Sequence, residues 1–196
     1  MESIVSPWSF TTWGIDLIGM INHNSREGHK FVIIATNFTT KWVEAIPMKS
    51  TTQDKIIAFI VENIITRFGV PQKLIIDNGK ILKGKEIRAF CKKFRIAQSF
   101  SSVYYPQGNG QAEATNNTIR IILSKTWDKY KRDCNDQLPY ALWTYRTSLR
   151  IATRATPFSL VYGDEAIVPL ELEIPYLRIS LQGDIFDEEV RQVRLH

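Results

Sequence analysis

Cysteine is nearly absent. The chain of 196 residues has two, Cys91 and Cys134, 43 positions apart and with no Cys-x-x-Cys pair. That excludes a disulfide framework and a cysteine-rich zinc module. Free thiols suit a reducing, intracellular compartment. The three histidines, His23, His29 and His196, show no ligand spacing. No apolar run approaches the ~18 residues of a membrane helix. Met1 to Pro7 lacks the basic and apolar parts of a secretory signal. Internal repeats and low-complexity tracts are missing as well. The expectation is a soluble intracellular protein with no membrane association.

Hydrophobic residues make up 44% and charged residues 23%, an ordinary globular composition. A chain of this length buries about 70% of its unfolded surface, enough for a core without metal or disulfide. The net charge of +5 is unevenly spread. Asp164 to His196 carries 8 acids against 3 bases. Residues 1–163 therefore hold 22 bases and 12 acids, a net of +10. Such a body suits a polyanionic partner, or is simply a solvated basic surface.

Hydrophobic patterning predicts three antiparallel strands: Trp13 to Gly19, Phe31 to Thr36, and Lys41 to Pro47. Ile21 to Lys30 reads as a hairpin loop. The third strand alternates and reads as half-exposed, closed by Pro47. Ile57, Ile60, Val61, Ile64, Ile65 and Phe68 then recur at helical spacing, after a cap among Ser50, Thr51 and Thr52 and before Gly69 and Pro71. Strands at Lys73 to Gly79 and Gln98 to Val103 flank a basic amphipathic helix, Gly84 to Phe94. Tyr104 to Gly110 reads as a loop and about 110–131 as a long helix. Helices at Leu138 to Ser148 and Thr156 to Gly163 close the body, the last with Thr at the N-cap, Pro at the first helical position and a terminal Gly. The sum is an α/β fold with a five-stranded mixed sheet flanked by helices. Residues 1–6 form an extension, 7–165 the compact body, and 166–196 an acidic C-terminal extension.

Three acids stand out. Asp16 lies between Ile15 and Leu17, and Asp77 follows Ile75-Ile76, in strands that otherwise read as buried. A buried, unpaired carboxylate is costly, so each must be paired, capping or binding something. Asp77 could bond backbone amides in its own Asp-Asn-Gly turn. Glu113 heads the long helix, where the helix dipole alone favours an acid. Below it Asn117, Arg120 and Ser124 continue a polar stripe. Three carboxylates brought together repel one another. A divalent cation reverses that repulsion, and oxygen-only ligands suit Mg²⁺ or Mn²⁺. Two such ions about 4 Å apart can clamp the attacking and leaving oxygens of a phosphodiester displacement.

Trp13-Gly14-Ile15-Asp16, Ile76-Asp77-Asn78-Gly79 and Tyr105 to Glu113 resemble the catalytic core of retroviral and LTR-retrotransposon integrases. The likeness is to the gypsy class, especially plant elements. The last two acids are separated by 35 residues, as in that family. Lys41 to Ala45, Arg67 to Pro71, Leu142 to Thr147 and Thr156 to Gly163 are similar to its other landmarks. The resemblance runs from about Pro7 to Glu171.

It implies an RNase H-like fold, with Asp16, Asp77 and Glu113 as catalytic residues and ligands of two Mg²⁺ ions, Mn²⁺ being an alternative. It implies 3′-end processing and strand transfer on element ends and target DNA, by a homodimer or higher multimer acting in the nucleus. No small-molecule substrate is implied. The glycines of the Tyr104 to Gly110 loop would let it close over DNA. Lys80, Gln107, Asn109, Asn116, Asn117 and Arg120 are candidate DNA contacts, or ordinary polar surface residues.

The chain departs from the family pattern in places. Lys80-Ile81-Leu82 stands where a Thr or Ser, a polar residue and Phe are usual. Lys80 would contact phosphate or compete with metal beside Asp77. Met20 replaces a usual Pro, and Asn37 a frequent Asp. Zinc-binding and C-terminal DNA-binding domains are not seen, so a truncated and inactive copy is one expectation. A non-catalytic nucleic-acid-binding remnant or host-adopted module is the alternative, and a ribonuclease H acting on hybrids a third. Lys80 to Arg95 holds seven bases and one acid, Glu86. That segment reads as a phosphate-contacting face or as a solvated helix.

Overall fold

A computed structural model describes residues 9–19, 28–76, 81–100, 121 and 134–166. Five strands form one sheet: β1 (Thr12–Ile18), β2 (Phe31–Asn37), β3 (Val43–Met48), β4 (Lys73–Ile76) and β5 (Ala97–Phe100). Their order is β3-β2-β1-β4-β5. The first three form the expected antiparallel meander, and β4 and β5 add in parallel to β1. The sheet is therefore mixed. Parallel addition needs crossovers, and helices supply the ones described.

The first crossover begins as α1 (Gln53–Phe59), widens to π-helical turns over Ile60–Ile65, and closes in α2 (Thr66–Phe68). Its fully covered row is Ile56, Phe59, Ile60 and Ile64, whereas Ile57, Val61 and Ile65 of the expected stripe are only half-buried. Residues four apart stay aligned where the helix carries more than 3.6 residues per turn, so the wider turns shift the stripe. Gly69 ends the helix at φ 87°, a region that favours glycine, and its amide bonds the Ile65 carbonyl at 3.0 Å. The second crossover is α3 (Lys85–Lys93), which buries Ile87, Phe90 and Cys91.

These helices cover one face of the sheet around Trp13, Ile15, Ile33, Leu74 and Ile76. The other face is covered by α4 (Cys134–Arg146), whose Leu138, Ala141, Leu142 and Tyr145 pack on Val32, Ile34, Val43 and Ala45. A last short helix, α5 (Pro157–Tyr162), has the predicted ends: Thr156 Oγ1 accepts from the Ser159 amide at 3.0 Å, and Gly163 is left-handed at φ 82°. The 104–110 loop, most of the 110–131 helix and the acidic extension lie outside the described residues.

One strand reads differently from its sequence pattern. β3 is largely buried, not half-exposed, and Pro47 sits inside it opposite Val32. Pro is tolerated there because β3 is an edge strand. The burial arises because both helical layers reach round that edge.

Candidate active site

Alternation along β1 sorts the Trp-Gly-Ile-Asp segment. Trp13 and Ile15 enter the core beneath α1 and α3. A Cβ at Gly14 would meet the Phe38 ring at 3.0 Å, so glycine leaves that ring its place. Asp16 faces the opposite side, in register with Ile34, on the α4 layer. It is buried, with 8% exposure, and its Oδ1 accepts from the Leu17 amide at 2.8 Å. A carboxylate thus stands in an otherwise apolar strand, as the sequence predicts, oriented by its own backbone.

The parallel register between β1 and β4 runs to Ile15 beside Ile76. Asp16 is the next residue of β1, and Asp77 follows Ile76 in sequence. Asp77 lies outside the described residues, as do Glu113, Lys80, Gln107, Asn109, Asn116, Asn117 and Arg120. The structure therefore describes Asp16 alone among the nine sequence-predicted site residues. Among the described residues, no three His, Cys, Asp or Glu side chains gather. The donor chemistry at Asp16 still fits the expected ion. It is a hard carboxylate oxygen set by a backbone amide, the ligand type Mg²⁺ or Mn²⁺ takes.

The departures from the family pattern find physical places. Leu82 is buried in the core at 2% exposure and Ile81 is exposed. Leu82 thus keeps an apolar side chain where Phe is usual, and the exposed position next to it has changed from polar to Ile. Asn37 is fully buried. Its Nδ2 donates to the Thr12 carbonyl at 3.1 Å, and its Oδ1 accepts from the Thr39 amide at 3.1 Å, the Thr40 amide at 2.9 Å and Thr40 Oγ1 at 3.0 Å. It ties the β2–β3 turn to β1.

A second buried acid, Glu44, was not among the expected site residues. Its carboxylate on β3 has a side-chain exposure of 5%. Oε1 accepts from Trp42 Nε1 at 2.8 Å and from Arg67 Nη1 at 2.6 Å. Oε2 accepts from Arg146 Nη2 at 2.8 Å. Arg146 also bonds the Val43 carbonyl through Nε at 3.0 Å and Nη2 at 2.6 Å, with its guanidinium 4.3 Å from the Trp42 ring centre. Burial pushes the Arg146 pKa down; the Glu44 charge opposes this and nearby Arg67 adds to it. The Glu44 carboxylate is shared by both guanidinium groups, and the cluster pins helices from both layers to the edge strand. A signal existed: Glu44 sits between Val43 and Ala45 as Asp16 does between Ile15 and Leu17.

The integrase core domain family matches residues 9–106, half of the chain. The chain is 29% identical over 151 residues to the Gag-Pol polyprotein of avian reticuloendotheliosis virus, covering 77% of this chain and 13% of that protein. It is 30% identical over 171 residues to Gypsy retrotransposon integrase-like protein 1 of Bos taurus, covering 87% of this chain and 33% of that protein. The chain therefore spans a third or less of the length of these relatives. Among solved structures, the catalytic core domain of BIV integrase superposes with a TM-score of 0.62 at 19% identity, covering 76% of this chain and 92% of that one. The HTLV-2 integrase catalytic core domain in complex with magnesium, in trimeric form, gives 0.58 at 21%, covering 76% and 93%. These likenesses show the RNase H-like fold expected from the sequence. With half of its length matched, the chain belongs to the integrase core domain family.

Proposed function

We propose that the chain carries the polynucleotidyl-transfer centre of a DNA integrase, with Asp16, Asp77 and Glu113 holding two divalent ions. One observation carries the reading. Asp16 is a buried carboxylate on β1, within the family-matched stretch, one residue past the paired row Ile15–Ile76. Asp77 follows Ile76 directly in sequence, which supports assigning it to the same centre as Asp16. Glu113, 36 positions further along the sequence, would complete an oxygen-only set. The magnesium complex of the HTLV-2 core supports the choice of ion.

When bound, the ions would supply an activated attacking oxygen and stabilise the leaving one. The chain's own residues do the rest. The Leu17 amide fixes the Asp16 carboxylate against rotation. β1, held by β2 and β4 on either side, keeps that carboxylate in place. Gln107, Asn109, Asn116, Asn117, Arg120 and Lys80 would hold the DNA strand across the site through its phosphates and base edges. End processing uses water as nucleophile, and strand transfer uses the DNA 3′-hydroxyl. In each, one phosphodiester bond breaks as one P–O bond forms, with no bond between DNA and protein. The multimeric state and nuclear action expected from the sequence belong to this proposal.

Calorimetric titration with Mg²⁺ and Mn²⁺, alongside disintegration of a branched DNA substrate, tests it. Wild type should bind metal and act on the substrate, and Asp77→Asn and Asp16→Asn should do neither. A folded wild type that binds neither metal would overturn the reading.

A further inference from the structure

We propose that the exposed face of α3 is a second nucleic-acid surface, a cationic track that holds duplex DNA by its phosphate backbone, independent of base sequence and of metal. This rests on the proposed function only in taking DNA as the partner. Within α3, Lys85, Arg88 and Lys92 are exposed and stand at i, i+3 and i+7, one stripe about 10 Å long. Lys93 and Arg95 flank it, also exposed. Ile87, Phe90 and Cys91 face the core, so the helix cannot turn the stripe inward. Its N-terminus is fixed as well. The Glu86 amide donates to Gln53 Oε1 at 3.1 Å, and a Cβ at Gly84 would run into the Gln53 side chain.

The charges are poorly explained by the helix itself. Lys92 and Lys93, in the last turn, complement the helix dipole. Lys85 in the first turn opposes it, and Arg88 and Lys92 repel as like charges at i, i+4. Among the described residues no acid pairs with any of the three; the ion pairs found there join Arg67 and Arg146 to Glu44. A row of phosphates removes that repulsion, which is the charge complementarity that selects a polyanion over a neutral partner.

Position adds to this. Lys83 leads into the stripe with its ammonium 5.1 Å from the centre of the exposed Phe100 ring. Phe100 closes β5 in the row Ile15–Ile76–Phe100. It therefore stands two strands, roughly 10 Å, from the β1 position next to Asp16. Yet α3 packs on the opposite face of the sheet from Asp16. The track begins near the candidate centre without belonging to it, and would hold duplex flanking the reacting phosphate.

The test is fluorescence anisotropy of a labelled duplex of arbitrary sequence, in EDTA, with the full chain over a range of KCl. Each phosphate contact contributes about 0.9 to the slope of log K against log salt. The variant combining Lys85→Gln, Arg88→Gln and Lys92→Gln should lower that slope by about 2.7 with an unchanged circular dichroism spectrum. Should that variant not fold, Arg88→Gln alone should lower it by about 0.9. Asp16→Asn should leave the slope intact, so failure of the catalytic reading and failure of this one are separable. An unaltered slope in the α3 variants overturns the proposal. So does an equal fall in Lys49→Gln with Lys55→Gln, both outside α3, or α3-dependent binding of polyglutamate but not of duplex.

Discussion

Glu44→Gln is the sharpest probe of how this fold is held. The substitution keeps the shape and one acceptor but removes the charge, and turns an amide N–H₂ toward a guanidinium. The two arginine arms differ in exposure: Arg67 is 41% exposed and Arg146 18%. A half-exposed arm is worth only about 0.5 kcal/mol. Removing one partner of a buried pair costs about 3–5 kcal/mol, because the surviving charge is stranded. Glu44→Gln should therefore destabilise by about 3 kcal/mol, at the low end because an acceptor remains. At 2–4 °C per kcal/mol for a domain this size, Tm should fall by about 6–12 °C.

Urea unfolding followed by tryptophan fluorescence reads this directly, since Trp42 donates to Glu44. Arg67→Ala should cost about 0.5 kcal/mol. Arg146→Ala should cost about 4 kcal/mol, since it also loses the Val43 carbonyl bonds and the Trp42 ring. The double change Glu44→Met with Arg146→Met should be milder than either single change, because the one charge then left without its partner, on Arg67, is 41% exposed and solvated. A Glu44→Gln cost below 0.5 kcal/mol, or equal costs for Arg67→Ala and Arg146→Ala, would refute the reasoning from burial.

Asn37→Asp should cost about 2 kcal/mol at neutral pH, because a carboxylate oxygen would face the Thr12 carbonyl in place of a donor. Acidification through the carboxylate range should restore part of it, as the protonated acid donates again; urea midpoints at pH 4 and pH 7 decide. Thr156→Ala should lose about 1 kcal/mol through the Ser159 amide, measured by thermal melting. Burial pushes the Cys91 thiol up, against a smaller opposing hydrogen bond from Gln98. Its folded value therefore exceeds the ordinary 9.0, so its contribution is present below 9.0 and is lost as pH rises toward the folded value. The stability difference between wild type and Cys91→Ala should shrink from pH 8 to pH 10.

The fold was legible because its strands are written in long β-branched runs. Phe31–Asn37 cannot be hidden in a helix register, and Thr156, Pro157 and Gly163 bound α5 by backbone chemistry alone. What escaped was whatever depends on a distant partner. β3 read as half-exposed because Glu44 looked like a solvent-facing residue; nothing local says that Arg67 and Arg146 arrive from 23 and 102 positions away. The π-helical turns over Ile60–Ile65 escaped too, since a 3.6-residue template cannot register a wider turn.

The same test gives Asp16 and Glu44 different meanings. An acid in an apolar strand reports burial, and its partners decide what the burial is for. Trp42, Glu44, Arg67, Arg146 and Tyr162 come from the four segments that resemble the family outside its acidic motifs. They meet at one place: the guanidinium groups bond Glu44, and Tyr162 packs edge-on against Trp42 at 5.6 Å. Those segments are therefore framework, holding both helical layers to the edge strand. A carboxylate already holding two guanidinium groups has no use for a metal ion, so Glu44 is excluded as a ligand by its own partners. Asp16 differs in place as well as partner. It lies one residue beyond the paired row that leads from β1 to β4, where Asp77 follows in sequence. That position, rather than burial alone, is why we propose Asp16 as the site residue, whereas its two guanidinium partners make Glu44 the clamp.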